Sequence, residues 1–391
     1  MTSKFNLPVR KLLGPGPANV DPRVMEAMHA PAIGHMDPAF MEVLAETADL
    51  LRYAFGTEND VTMAVSGTGF SGLDMALSNA LEPGDRIVVG ISGFFGEKAA
   101  EIATRLGAEA IKVSNGFGKP VAPETVQAAV AGAGRVKAVF LVAAETSVGL
   151  RQPIAEIAEI AHKSDALMIA DTVTLLGGAK MELDEWGVDI AYAGSQKCVG
   201  AVAGTAPITF SPRAVEAIKQ RSKPVPSWYL DALALHRYWS NEPFYHHTCP
   251  STLMMGLREA LRIVHEETIE ARADRHDRNG RALVAGLEAM GLEVASDPKH
   301  RLGMLTPVRI PEGISDAAVR GELLRRHDIE IGGGLGNWAG KVWRIGLMGV
   351  GSNLANVLVI LGALEELLSE EGHGLEPGAA AAAAKRIVTP A

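Results

Sequence analysis

Cysteine is nearly absent: the 391-residue chain has two, Cys198 and Cys249. Two thiols are too few for a disulfide framework or a cysteine-built metal cluster, and they suit a reducing cytoplasm. Positive charge is also scarce. Lys and Arg total 37 against 46 Asp and Glu, a formal net charge of −9. A nucleic-acid partner is therefore not expected, because phosphate backbones select basic faces. No apolar run is long enough to span a bilayer. The opening MTSKFNLPVRKLLGPGP has no extended apolar stretch behind its basic residues, so no secretory leader is expected. The closing VTPA carries no peroxisomal or retention tripeptide. No internal repeat is present. The composition is 47% hydrophobic and 21% charged, which excludes wholesale disorder. The length exceeds what one compact core needs, so two domains are expected.

From about residue 61 to 210 short apolar runs alternate with helical ones. The strand-like runs are VTMAV (61–65), RIVVG (86–90), KAVFLV (137–142), ALMIA (166–170) and VDIAYA (188–193). Helical patterns such as LDMALSNAL (73–81) and PIAEIAEIAHK (153–163) lie between them. This alternation predicts a mostly parallel sheet with helices on both faces. A long helical segment over 253–291 follows and should bend where one domain passes into the next. Beyond it LTPVRI (305–310), DIEIG (328–332) and KVWRIG (341–346) read as strands of a smaller α+β domain. The Ala-rich tail reads as a short surface helix without function.

Ligands of open parallel sheets sit beyond the carboxyl ends of the strands, so the residues just after each strand carry the chemistry. VTMAV ends in Ser66-Gly67-Thr68-Gly69-Phe70-Ser71-Gly72 and then a helix begins. Glycines expose backbone N–H groups and a helix start adds its dipole, a setting suited to a phosphate. The same string matches the dinucleotide fingerprint, but the next strand, RIVVG, does not end in an acidic residue to hold a ribose. Asp85 precedes it and Glu97 lies past its end. One phosphate and no NAD is the reading; a ligand-free turn is the competing one. ALMIA ends in Asp171, a carboxylate behind an apolar strand that needs a cationic partner to stay ionised, unless it is merely a helix cap. VDIAYA leads to Gly194-Ser195-Gln196-Lys197. A lysine there is poorly placed for water, and a Schiff base would use its easily shifted pKa. Ring-nitrogen partner, aldehyde partner and phosphate cradle are the three parts of a pyridoxal phosphate site.

These residues resemble the alanine–glyoxylate and serine–glyoxylate aminotransferases, class V enzymes of pyridoxal-phosphate fold type I. The likeness covers nearly the whole chain. It runs through Leu13-Gly-Pro-Gly-Pro17, Ser66-Gly-Thr-Gly69, Glu145-Thr-Ser-Val-Gly149, Asp171 with Gly177-Gly178, and Gly194-Ser-Gln-Lys197. It continues through Tyr245-His-His-Thr248, Gly332-Gly-Gly-Leu-Gly336 and Lys341-Val-Trp-Arg-Ile-Gly346. The resemblance implies an arm over 1–17, a large cofactor domain over 18–267 with a mostly parallel central sheet, and a small α+β domain over 268–391. It implies that Lys197 binds the cofactor and moves protons, and that Asp171 pairs with the pyridine N–H. Phe95 would stack on the ring, where relatives use Trp. Thr68, Gly69, Phe70 and Gln196 would hold the phosphate, with Phe70 where relatives often have His. Thr146 would approach the ring hydroxyl, and Val173 would line the cofactor. Tyr245 and Thr248 would reach the phosphate of a neighbouring subunit, making a homodimer with shared sites. Arg344 would grip the substrate carboxylate, although its alternation with Trp343 and Ile345 alone lets it face water.

The implied reaction passes an amino group from alanine or serine to glyoxylate or pyruvate in two halves, with ping-pong kinetics. (S)-Ureidoglycine is the alternative donor, but that branch is expected to use Gln and Asn near the substrate, where this chain has His35 and Tyr245. His35 is therefore taken as a substrate-side residue. Pyridoxamine–pyruvate relatives carry Glu in place of Thr68 and Arg in place of Leu335, and neither is present. Cysteine desulfurases need a cysteine on a small-domain loop, so Cys198 and Cys249 are read as packing residues. The paired His246 and His247 are not read as metal ligands, because neighbours in an extended segment point apart. An NAD-dependent dehydrogenase and a catalytically silent dimeric binding protein remain as readings from other classes.

Overall fold

The computed structural model describes residues 7–240, 244–374 and 376–388. The expected arm over 1–17 thus falls partly outside the described residues, as does the end of the VTPA tail. A seven-stranded sheet forms the centre. Its order is Val61–Ser66, Thr205–Phe210, Ile190–Tyr192, Leu167–Asp171, Ala138–Val142, Arg86–Gly90 and Glu109–Val113. The Thr205–Phe210 strand is antiparallel to both neighbours, and the remaining pairs are parallel. Six strands therefore point their carboxyl ends at one edge. Four of the five interior strands are buried along their whole length, and Arg86–Gly90 is buried except for Arg86, as a sheet covered on both faces requires.

The expected strands all form, with ends shifted by a residue or two. Two strands of the large sheet were not expected. Thr205–Phe210 contains Pro207, a residue that argues against a central strand because it cannot donate to a ladder. Here the Pro207 carbonyl accepts from the Ala193 N–H at 2.8 Å. Glu109–Val113 is a half-exposed edge strand with charged residues that hide the pattern. The Gly69–Ala80 helix lies close against the sheet. A Cβ at Gly72 would come 3.0 Å from Tyr192 Cβ and 3.3 Å from Ala206 Cβ, so a larger residue there would push helix from sheet.

Among the described residues two large apolar cores are present, with a small third cluster of Val148, Leu150, Trp338 and Val342. One gathers residues from Ala18 to Leu261 with Leu302, Met304, Leu305 and Met348. The other joins Leu13 to residues between Ala282 and Ala384. The long helical segment divides into Ser251–Glu267 and Ile269–Ala289, and the bend between them is Thr268 at φ +67°. The second core takes Val308, Trp343 and Ile345 from the antiparallel sheet of Leu305–Arg309, Val342–Gly346 and Gly332–Gly333. DIEIG splits between two short strands, Ile329–Glu330 and Gly332–Gly333, and the first pairs in parallel with Lys11–Leu12. The Ala-rich tail corrects the sequence reading. Its helix, Ala379–Val388, buries Ala380, Ala383 and Ala384, and Ala380 and Ala384 belong to the second core. Alanine's small side chain lets it seat closely against its neighbours. Among the described residues no helix is long and apolar enough to cross a membrane.

Candidate active site

A cavity of about 180 Å³ opens at the carboxyl edge of the large sheet. Its walls include Thr68, Gly69, Phe70, Phe95, Thr146, Asp171, Val173, Gln196 and Lys197. Nine residues singled out in the sequence thus meet in one place. Leu73, Val142, Ala144, Thr174 and Tyr192 complete it. Free carboxyl ends, all at one edge, are what brings together residues more than a hundred positions apart.

Asp171 ends its strand with its carboxyl buried. One oxygen accepts the Tyr192 hydroxyl at 2.6 Å and the other the Val173 N–H at 2.9 Å. Burial pushes this carboxyl up to about 6, although both donors and the Lys197 charge work against the rise. The group therefore lacks a full counter-charge within the chain. Lys197 follows the adjacent Ile190–Tyr192 strand. Burial pushes its ammonium down to about 8, and the Arg344 charge acts in the same direction. Its Nζ donates to the Pro15 carbonyl.

The turn after Val61–Ser66 takes Gly67 to φ +124°, a conformation side chains resist. The Gly69–Ala80 helix starts immediately after Thr68. Gln196 turns its side chain under the same end of the cavity, and its Oε1 is buried without a hydrogen-bond partner. An amide oriented the other way would present N–H groups there instead. Phe95 lies opposite, 6.3 Å from the Phe70 ring. It is set by a buried acid absent from the sequence-derived site. Glu145 accepts from Phe95 N–H at 3.1 Å, Ser147 N–H at 3.0 Å and the Ser147 hydroxyl at 2.5 Å. Ser147 Oγ in turn accepts Phe94 N–H at 2.9 Å. Side chains from another segment thus cap the first turn of the Phe94–Arg105 helix, a need every helix start has. Burial holds Glu145 above the usual carboxylate range.

Arg344 is 6% exposed, which settles its orientation: the strand is buried on both faces, so alternation carried no information. Its Nε donates to the Gly333 carbonyl at 2.7 Å and an Nη to the Thr146 carbonyl at 3.3 Å. Burial lowers its pKa to about 10, with Glu145 opposing. The C-terminal sheet therefore brings a guanidinium to Thr146, a wall residue, although Arg344 itself does not line the cavity.

His35, Tyr245 and Thr248 do not line this cavity. Tyr245 is 58% exposed, and its ring centroid is 5.5 Å from that of His35. The Tyr238 hydroxyl donates to the His35 carbonyl. The argument that His246 and His247 diverge is wrong. Their Nδ1 atoms lie 2.8 Å apart. The Trp228 ring stacks on His246 at 4.3 Å and 3°, and the Trp228 carbonyl is 3.2 Å from His246 Nε2. A carbonyl only accepts, so His246 carries its proton on Nε2 and His247 donates from Nδ1. Burial lowers both imidazoles, His247 to about 4. Cys198 and Cys249 are buried, and burial pushes each thiol up to about 12, which fits packing rather than reactivity.

The dinucleotide reading fails on topology. Val61–Ser66 is not paired with Arg86–Gly90, the strand after the glycine string, but with the reversed Thr205–Phe210. A ribose-binding acid has no adjacent strand to stand on. Glu97 is instead paired with Lys112 at 2.5 Å on the surface.

Tyr192 and Glu145 were missed by the sequence reading. Both left a signal: each is a polar group at the end of an apolar run, and such a group needs a buried partner.

The aminotransferase class-V family model matches residues 12–338. The chain is 38% identical over 375 residues to an alanine–glyoxylate aminotransferase of Drosophila melanogaster, covering 95% of each. An alanine–glyoxylate aminotransferase from Nostoc sp. matches in structure with a TM-score of 0.92 and 43% identity, over 94% of this chain and 97% of that one. A ureidoglycine–glyoxylate aminotransferase from Bacillus subtilis matches with a TM-score of 0.96 and 38% identity, over 99% and 100%.

Proposed function

The chain belongs to the aminotransferase class-V family, and from that membership we propose that it uses pyridoxal phosphate to carry an amino group from alanine or serine to glyoxylate or pyruvate. The observation that carries this is the meeting of Asp171 and Lys197 in one cavity, at the ends of adjacent strands. The residues fit the cofactor. A buried carboxyl short of counter-charge suits a protonated ring nitrogen, and the orphaned Gln196 side chain beside a helix start suits a phosphate. Bound there, the cofactor would supply an aldehyde for the amine and a ring that withdraws electrons.

The chain's own groups divide the remaining work. Lys197, with a pKa near 8, exists as both amine and ammonium near neutral pH, so it can take a proton from the substrate α-carbon and return it. Asp171 would supply a negative charge to the ring nitrogen. Phe95 would offer an aromatic face, and Thr68, Gly69, Phe70, Thr146, Val173 and Gln196 would hold the rest. Arg344 grips the α-carboxylate through its unused N–H groups. Gly16 lies against Lys197, where even a methyl group would collide with the amine. That crowding favours donors with small side chains.

Tyr245 and Thr248 face outward beside the exposed Trp228 and Tyr229. We take this face as the place where a second copy docks and reaches its neighbour's phosphate. The domain limits 18–267 and 268–391, the substrate-side role of His35 and a cytoplasmic location belong to the same proposal. Ureidoglycine remains the second donor to test, because of the match to the Bacillus subtilis enzyme.

The test has two arms. Borohydride should fix cofactor to the wild-type protein and not to folded Lys197→Ala; label persisting in the variant would remove Lys197 from its role. Initial rates with alanine, serine and (S)-ureidoglycine against glyoxylate and pyruvate identify the substrates. Activity with none of these pairs would overturn the assignment of small donors.

A further inference from the structure

The span Leu13–Pro17 entered the sequence reading as a family motif without a task. In the structure it is anchored at its two ends to different cores. Leu13 packs in the C-terminal core and Ala18 in the large one. Leu13 N–H donates to the Glu330 carbonyl at 2.9 Å, and its carbonyl accepts from Gly346 N–H at 2.8 Å. At the other end Ala18 N–H donates to the Gln196 carbonyl at 2.9 Å, next to Lys197.

Between these anchors the backbone passes against the amine, and Lys197 Nζ donates to the Pro15 carbonyl. The packing has no slack. A Cβ on Gly16 would lie 2.5 Å from both Cδ and Nζ of Lys197. A Cβ on Gly332 would lie 2.5 Å from Pro15 Cδ and 3.6 Å from an Nη of Arg344. One on Gly346 would overlap the Gly14 carbonyl oxygen. The same five residues therefore touch Lys197 and run beside Arg344, the two groups assigned to the substrate's α-carbon and α-carboxylate.

We propose that Leu13–Pro17 is a strap tied to both domains, and that its Pro15 carbonyl positions the Lys197 amine whenever that amine is uncombined. The proposal rests on Lys197 being the reacting amine, as argued above. The chemistry of the acceptor suits the task. A carboxylate here would hold the ammonium's proton by charge, whereas a neutral carbonyl directs the nitrogen and leaves the proton exchangeable. The charged and titratable groups facing Lys197 are Asp171, Arg344 and Cys198. None of them is its hydrogen-bond partner; the strap supplies that.

The experiment uses the full chain stripped of cofactor. Competitive reductive methylation at graded pH, read by mass spectrometry, gives the midpoint at which Lys197 becomes reactive, with exposed Lys163 as internal reference. Replacing Gly16 by glycolate in a semisynthetic chain turns the Pro15–Gly16 amide into an ester, whose carbonyl accepts more weakly at unchanged shape. The Lys197 midpoint should fall by about half to one pH unit, and that of Lys163 should stay. Gly16→Ala, made in cells, should shift it in the same direction by crowding the amine off its acceptor. An unmoved Lys197 midpoint in either folded protein overturns the proposal. The readout needs no cofactor, so such a failure is separate from failure of the borohydride test.

Discussion

Replacing Tyr192 by phenylalanine should detune Asp171 without disturbing the fold. The Tyr192 hydroxyl gives one of two hydrogen bonds to that carboxyl, at 2.6 Å, and the Val173 N–H gives the other at 2.9 Å. A hydrogen bond to a charged acceptor contributes about 1.5–3 kcal/mol, equivalent to roughly one to two pH units. Asp171 stands at about 6 with both donors. Losing the hydroxyl should therefore carry it to about 7–8. The sign follows from the charge. Protonated Asp171 gives a ring N–H no counter-charge, so cofactor affinity falls as pH drops through the Asp171 value. In Tyr192→Phe that fall should begin about one to two units higher, and affinity at pH 7 should be roughly twofold to tenfold weaker. The ring stays, so its packing against the Gly69–Ala80 helix survives. The assay is titration of cofactor-free protein with pyridoxal phosphate between pH 5.5 and 9, followed by absorbance. Superimposable acid limbs for the two proteins would refute the reasoning, because the Tyr192 hydroxyl would then not be tuning Asp171.

Arg344→Ala should raise KM for amino and oxo acids by roughly a hundredfold, the loss of about 3 kcal/mol of charged hydrogen bonding. Its cofactor affinity should change little, and an equal loss of both would give Arg344 a different task. Arg272→Ala should cost about 3–5 kcal/mol in denaturant unfolding. It removes a buried guanidinium bonded to Glu267 at 2.6 Å and to the Gly177 and Cys198 carbonyls at 2.7 and 2.9 Å. The same variant should lose stability at higher pH on acidification. Burial would raise Glu267, but the Arg275 hydrogen bond and both arginine charges outweigh it and hold the carboxyl at about 2. Its contribution is therefore present above the unfolded value near 4.3 and lost as pH falls through the folded one.

The large sheet and its cavity were legible because strand-end position is written in the order of the residues. Asp171 and Lys197 each follow an apolar run, and a parallel sheet leaves such residues at one edge. What escaped the reading depended on the third dimension. Arg344 sits in a strand covered on both faces, so alternation pointed to water where there was none. Pro207 disguised a central strand: it has no N–H to donate, yet its carbonyl still accepts from Ala193. His246 and His247 turn toward each other because Trp228 stacks on one of them, a partner eighteen positions away. The tail helix looked idle because alanine carries little hydrophobic signal, yet its small size is what lets it dock. Tyr192 and Glu145 needed the geometry to reveal which group each serves.

The main chain passes between the two cores repeatedly among the described residues: from Leu13 to Ala18, from Leu261 to Ala282 by way of the left-handed Thr268, from Val294 to Leu302, from Leu305 to Val308, from Leu347 to Met348 and from Met348 to Val357. So many stitches leave no single hinge line. Arg344 sits on one side of the seam and Lys197 on the other, so the distance between them is set by how the seam is packed. An acid held at one and worked on at the other would be measured against a gauge the fold has already cut.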